Sequence, residues 1–161
     1  MKKGFTLLEI LLVIAAIGIL AAIVIVAINP NRQLGQARDA QRRSDVNTIL
    51  NAVYQYSIDN NGNMPATFTD GTTYEIVRTG TPTCSDTSGA TTGTDLSALT
   101  GTPSYLSAIP RDPQYNEHND TATVNPEPED CTGYTLVSNG GRITIAAPET
   151  EIATSEISVT R

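Results

Sequence analysis

The sequence predicts an α+β protein: a long N-terminal α-helix, membrane-spanning and then amphipathic, packed on a small antiparallel β-sheet head. Three observations point there. Residues 5–28 form a run of 24 in which only Thr6, Glu9 and Gly18 fall outside the strongly apolar set. From Gln33 to Asp59, apolar side chains recur at three- and four-residue steps, the period of a helix with one buried face. Near the C-terminus, Gly133–Ser138 and Arg142–Ala146 alternate in polarity around Asn139-Gly140-Gly141, a hairpin signal. The expected segments are a span at 5–29, the amphipathic half of the helix at 30–60, and a head at 61–161.

The first element is long enough to cross a bilayer. As a helix, residues 5–28 measure about 36 Å at 1.5 Å per residue, against a hydrocarbon core of about 30 Å. A secretory signal has an apolar region of only about 7–15 residues and ends at a small-residue exit, and neither feature fits here. Glu9 is the informative residue in the span. A carboxylate inside a membrane helix costs about 3 kcal/mol and so calls for a partner. No cation follows it until Arg32.

Lys3-Gly4-Phe5-Thr6-Leu7-Leu8-Glu9 resembles the processing signal of type IV prepilins and pseudopilins. The resemblance rests on a basic leader, a glycine, Phe5, a Glu four residues further on and a long apolar helix. It implies a cleaved leader at 1–4, a prepilin peptidase cut between Gly4 and Phe5, and N-methylation of Phe5. It also implies that Glu9 pairs with the Phe5 amine of a neighbouring copy. Because lipid and leucine are about equally apolar, membrane helices gain little from hydrophobicity when they associate. A pair in which each charge removes the other's desolvation penalty changes that balance. Repeated between displaced copies, such a contact does not close and generates a helical filament.

Beyond the span, Asn29-Pro30-Asn31 predicts a kink, because a helical proline loses one hydrogen bond and crowds the preceding turn. Many Gram-negative pilins that the chain resembles carry a proline four positions earlier, where Val26 stands here; melting near Gly18 or Pro30 in a filament stays open. Leu34, Ala37, Val46, Ile49, Leu50, Val53 and Tyr56 or Ser57 form the expected apolar stripe of the second half. Asn60-Asn61-Gly62-Asn63-Met64-Pro65 supplies the stop, and the run from Tyr56 to Pro65 resembles the helix exit of major pseudopilins. Residues 66–104 are expected to be mostly loop, with a strand at 73–78. Between Thr79 and Ser104, 13 of 26 residues are Thr or Ser, a composition that favours loop over core. Tyr105 to Pro113 contains Ile109-Pro110-Arg111-Asp112-Pro113, which resembles an Ile-Pro-x-Asp-Pro element of pilin and pseudopilin heads; Leu106 and Ile109 are expected to dock on the stripe. A last strand is expected at 157–160.

Charge narrows the function. Residues 59–161 hold 14 acidic side chains against four arginines, a net of −10, so a broad nucleic-acid face is not expected. Arg32, Arg38, Arg42 and Arg43 form a basic cluster with Asp39. It has three readings: a juxtamembrane lipid contact, a nucleic-acid groove, or a solvated helix face that also meets neighbouring subunits, which is preferred. Two cations precede the span and four follow it, so the positive-inside rule favours a cytoplasmic C-terminus. The leader resemblance and the cysteines argue for an exported one. Cys84 and Cys131 are expected to pair in an oxidising compartment, with two buried free thiols as the alternative.

No catalytic constellation is visible, and no enzyme is expected. The one histidine, His118, sits in a polar run. Asp112, Glu117, Asp120, Glu127, Glu129 and Asp130 offer hard oxygen ligands suited to calcium, and major pseudopilins bind calcium in the corresponding loop. A solvated acidic loop with no cofactor is the preferred reading. Asn119-Asp120-Thr121, preceded by Glu117, resembles a bacterial N-glycosylation acceptor, usually unoccupied. The expected protein is a type IV pilus-like filament subunit, anchored in the cytoplasmic membrane with its C-terminus exported and later in an extracellular or periplasmic filament. Its expected partners are copies of itself, the prepilin peptidase and the pilus assembly machinery. A major pseudopilin of type II secretion is the alternative within the family; a monomeric signal-anchored exported domain is the alternative outside it.

Overall fold

The computed structural model describes residues 4–80, 84, 92–115 and 130–161. Helix α1 runs Leu7–Ile28 and helix α2 runs Pro30–Asp59. Asn29 separates them with a left-handed backbone, φ 49°, closing α1 and capping α2, where its side chain accepts from the Arg32 N–H at 3.4 Å. Pro30 takes the first helical position, where no donor is needed. The expected kink is therefore a full break, because a left-handed residue ends the hydrogen-bond ladder where proline alone would only bend it. At the other end Asn61 (φ 57°) and Gly62 (φ 87°) reverse the chain, and the Gly62 N–H donates to the Ser57 carbonyl at 2.8 Å. Only a residue tolerant of positive φ closes a helix this way.

The head carries one five-stranded sheet: β1 (Thr73–Val77), β2 (Thr92–Asp95), β3 (Cys131–Asn139), β4 (Arg142–Ala147) and β5 (Ile157–Thr160). Spatial order is β2-β1-β3-β4-β5. All pairings are antiparallel except that of β1 with β2, and a register shift interrupts β1–β3 between Glu75 and Val77. The β3–β4 hairpin turns on Gly140 (φ 57°) and Gly141 (φ 80°), the two successive positive φ values that a tight right-twisted hairpin demands. It pairs Asn139 with Arg142 and Leu136 with Ile145.

Helix α2 lies across β4 and β5. Val46, Ile49, Leu50 and Val53 meet Ile76, Tyr134, Leu136, Ile143 and Ile145 in the core, all of them essentially inaccessible. Each such aliphatic side chain contributes roughly 1.5–3 kcal/mol by leaving water. Ile109 joins this core and Leu106 packs at its edge, as the sequence leads one to expect.

One expectation needs refinement and another correction. Among the described residues, 66–104 are mostly loop as expected, but beside β1 they contain β2 and a 3₁₀ turn at Ser97–Thr100, and Leu96 and Leu99 are fully buried, so the segment does contribute to the core. A short edge strand needs no alternation, and two leucines suffice to fix a Thr-rich segment. Leu34 and Ala37 are exposed, and the first turns of α2 bury Gly35, Asp39 and Arg42 instead. Cys84 and Cys131 are joined, with Cα atoms 6.1 Å apart and 47 positions apart in sequence. They pack with Val77 and Tyr115 in a second small cluster beside the main core.

Candidate functional site

The N-terminal signal lies at the free end of α1. Thr6 caps the helix in an extended conformation (φ −78°, ψ 150°), and its Oγ1 accepts from the Glu9 N–H at 3.3 Å. Gly4 and Phe5 thus stand outside the helix, with Phe5 78% exposed, and Glu9 stands exposed in the first turn. The spacing Thr6-x-x-Glu9 is that of a capping box. An acidic group in a first turn is also favoured by the positive end of the helix dipole.

No residue of α1 is buried against the head. At 22 residues and a mean hydropathy of 3.3, it is long and apolar enough to cross a membrane. Phe5, Leu7, Ile10, Leu11 and Ile14 line a shallow apolar groove along one side of it. None of the described residues of the head covers this surface.

A second constellation joins α2 to the head, and the sequence reading missed it. Asp39, Arg42 and Asp45 recur every three residues, so they share one face of α2. The Arg42 guanidinium, fully buried, donates through Nε and Nη2 to the two Asp112 oxygens at 2.6 and 2.9 Å. Its Nη1 donates to Asp39 at 2.9 Å and to Glu151 at 3.1 Å. Asp39 in turn accepts three successive backbone N–H groups, from Glu151, Ile152 and Ala153, at 3.1, 2.9 and 2.9 Å. Asp45 accepts from the Tyr134 hydroxyl at 2.7 Å and from Gln41 at 2.8 Å.

The charges follow this geometry. Burial alone would push the Asp39 carboxyl up, but the three backbone donors and Arg42 overcome it and hold the group at about 2. Burial pulls the Arg42 guanidinium down, yet Asp112, Asp39 and Glu151 together push it above its ordinary value. Asp45 is pushed up, chiefly by burial, and Tyr134 is pushed up by burial and by Asp45.

This revises the basic cluster. Arg42 does not lie on a solvated face, and Arg38 is half-buried against Glu151 at 3.2 Å. Arg32 and Arg43 are exposed. Apolar periodicity does not register a buried face made of charges. Gly35 allows the close approach: a Cβ there would meet Ile152 Cγ1 at 2.9 Å.

Of the calcium candidates, Asp112 has both oxygens engaged by Arg42. Asp130 accepts from the Thr79 hydroxyl at 3.1 Å. Glu117, Asp120, Glu127 and Glu129, together with the glycosylation candidate Asn119, lie outside the described residues. Glu75, Cys84 and Cys131 bring possible ligand atoms within 4.8 Å of one another, but the disulfide leaves no thiolate to coordinate a metal.

Comparison with known proteins adds three findings. The family model for the prokaryotic N-terminal methylation motif matches residues 1–25. The type II secretion system core protein G of Escherichia coli (strain K12) is 30% identical over 139 residues, covering 86% of this chain and 81% of that protein. The protein of the same name from Aeromonas hydrophila is 38% identical over 60 residues, 37% of this chain and 41% of that protein. No solved structure matches the chain.

Proposed function

Because the chain belongs to the type IV pilin and pseudopilin family, we propose that it is a structural subunit of a pilus-like filament, processed at its N-terminus and polymerised through α1. The observation that carries this is an apolar helix from which the head is wholly absent, with one carboxylate in its first turn. Such a helix has two environments open to it, lipid and other copies of itself. Prepilin peptidase cuts between Gly4 and Phe5, which stand outside the helix, and methylates the Phe5 amine. The methylated amine keeps its positive charge. Glu9 of one copy then meets the Phe5 amine of the next, and each charge offsets the other's desolvation. The subunit waits in the cytoplasmic membrane with its head exported, and it leaves the membrane as the filament grows. Its role is structural, in keeping with a family of structural proteins.

A second reading narrows the filament to the type II secretion pseudopilus, and both similar proteins are named type II secretion system core protein G. The two readings share processing and assembly and differ in what the filament serves.

Mass spectrometry of the native chain is expected to show residues 1–4 removed and one methyl group on Phe5. Glu9→Ala is expected to insert in the membrane and be cleaved, yet to yield few or no filaments by electron microscopy. A native chain still carrying Met1, or Glu9→Ala filaments formed at the normal rate, would overturn the assembly mechanism. Restored secretion in cells lacking core protein G would select the second reading.

A further inference from the structure

Glu75, in the middle of β1, is 1% exposed, and its carboxylate faces the disulfide. One of its oxygens and the Sγ atoms of Cys84 and Cys131 all lie within 4.8 Å of one another. Three local features hold it there. The register between β1 and β3 shifts between Glu75 and Val77, and Val77 is paired with Cys131. The Gly133 N–H donates to Glu75 Oε1 at 3.3 Å. Gly133 itself has φ 79°, and a Cβ there would stand 3.0 Å from Tyr115 Cδ2, so glycine lets the Tyr115 ring close on the cluster of Val77, Cys84 and Cys131. An acidic group thus sits beside a disulfide in a buried setting, where charges interact more strongly than in water.

This placement bears on thiol–disulfide exchange. An external thiolate bonds to one cysteine Sγ, the Sγ–Sγ bond breaks, and its electron pair leaves on the other Sγ as a thiolate. Where the attacker is a dithiol, its second thiol then displaces the mixed disulfide. The dithiol is oxidised by two electrons and the two cysteines are reduced by two. Negative charge is spread over three sulfurs in the transition state and ends on a sulfur beside the Glu75 carboxylate, and like charges so placed disfavour one another. Between full charges about 5 Å apart, at an effective dielectric of about 20, the repulsion is worth a few hundredfold, roughly; shared over three sulfurs it is worth roughly tenfold.

We propose that Glu75 guards the Cys84–Cys131 disulfide: its carboxylate keeps the adjoining sulfurs out of the thiolate form and slows exchange with external thiols and disulfides. Opening and closing are slowed together, because both pass through the same transition state. The reagents concerned are the dithiols and disulfides of an oxidising compartment. A neutral side chain would fill the site without this effect, and a carboxylate is the costlier group to bury. Two further charges border the cluster. Asp130, next to Cys131 in sequence, accepts from Thr79, and Arg111 stands over the Tyr115 ring at 4.4 Å. The inference is independent of what α1 assembles with.

The full chain in detergent, with its disulfide closed, would be treated with dithiothreitol at about pH 8, where that dithiol is partly ionised, and its free thiols counted by alkylation and mass. Glu75→Gln keeps the shape and the acceptor for Gly133, and it is expected to be reduced about tenfold faster than wild type. Asp130→Asn removes a bordering charge and is expected to change the rate by less than about twofold. A loosened head would also be reduced faster, so thiol ionisation is measured separately, from the rate of alkylation by iodoacetamide against pH in the fully reduced chains. The wild-type midpoint is expected above the ordinary thiol value of about 8.5, and about one unit above that of Glu75→Gln. Equal reduction rates would overturn the inference. So would faster reduction with unchanged ionisation, which assigns Glu75 a packing role only. Should Glu75→Gln not fold, Glu75→Asp draws the charge back by one methylene and is expected to shift both readings in the same direction. A wild-type midpoint at or below the ordinary value overturns the inference without any variant.

Discussion

At the scale of single residues, Arg42 is the joint of the molecule. It reaches Asp39, Asp112 and Glu151 at once, sharing Glu151 with Arg38, and all of its ion pairs are to these three carboxylates among the described residues. Arg42→Ala is expected to leave buried charges without a counter-ion and to destabilise the head by about 3–5 kcal/mol, measured by denaturant melts of the full chain in detergent. Asp39 gives a pH signature. Its folded value of about 2 lies below its ordinary 3.8, so its contribution is present above 3.8 and is lost as pH falls through 2. The shift corresponds to about 2 kcal/mol at neutral pH. Asp45, pushed up by burial, works the other way: its contribution is complete below its ordinary value and is lost as pH rises through the raised one. The comparison of wild type with Asp39→Asn isolates the first term. The gap between their stabilities is expected to be about 2 kcal/mol at pH 6 and to close toward pH 2; a gap independent of pH would refute the assignment.

At the scale of elements, α1 and α2 are two helices with different partners. A left-handed Asn29 and Pro30 at the next position divide them. Among the described residues α1 packs on nothing in its own chain, while α2 is committed to β4, β5 and the strap between them, residues 148–156. Gly35 is where the Ile152 side chain of the strap meets α2. Gly35→Val is expected to push Ile152 aside and cost about 1–3 kcal/mol. Gly35→Ala is expected to be near neutral, because the better helix propensity of alanine, about 1 kcal/mol, offsets a smaller clash. Thermal melts of the two variants would check the order. The strap itself shows why an element's sequence is a poor guide to its role. Pro148 to Glu156 reads as a polar connection, yet its backbone supplies the donors that hold Asp39.

At the scale of the whole molecule, the head is held by its core, by the clamp at Arg42 and by the disulfide. The disulfide closes a loop between Cys84 and Cys131, 47 positions apart, and links a Thr-rich segment to the start of β3. Reduction is expected to lower the stability of the head by about 3–4 kcal/mol, read as a drop in melting temperature with reductant and a mass gain of two hydrogens. A head whose melting is indifferent to reductant would show that the core and clamp suffice. The proposed assembly pair and the clamp that holds the head lie in different parts: Glu9 and Phe5 at one end, and Arg42 some fifty ångströms along the helices by residue count, about 1.5 Å for each of 33 steps.

The sequence by itself determined the span, the processing signal, the amphipathic helix from Val46 onward, the hairpin on Gly140-Gly141 and the final strand. Each is a local matter: a run of apolar residues, a fixed spacing or a pair of turn residues specifies it without reference to the rest of the chain. Only the tertiary structure decided that Arg42 is buried, that Asp39 holds the strap, that Leu96 and Leu99 reach the core, and that β2 pairs parallel with β1. These depend on what distant segments place opposite one another. A charged side chain reads as solvated until its counter-ions, here 70 and 109 positions away, are brought against it.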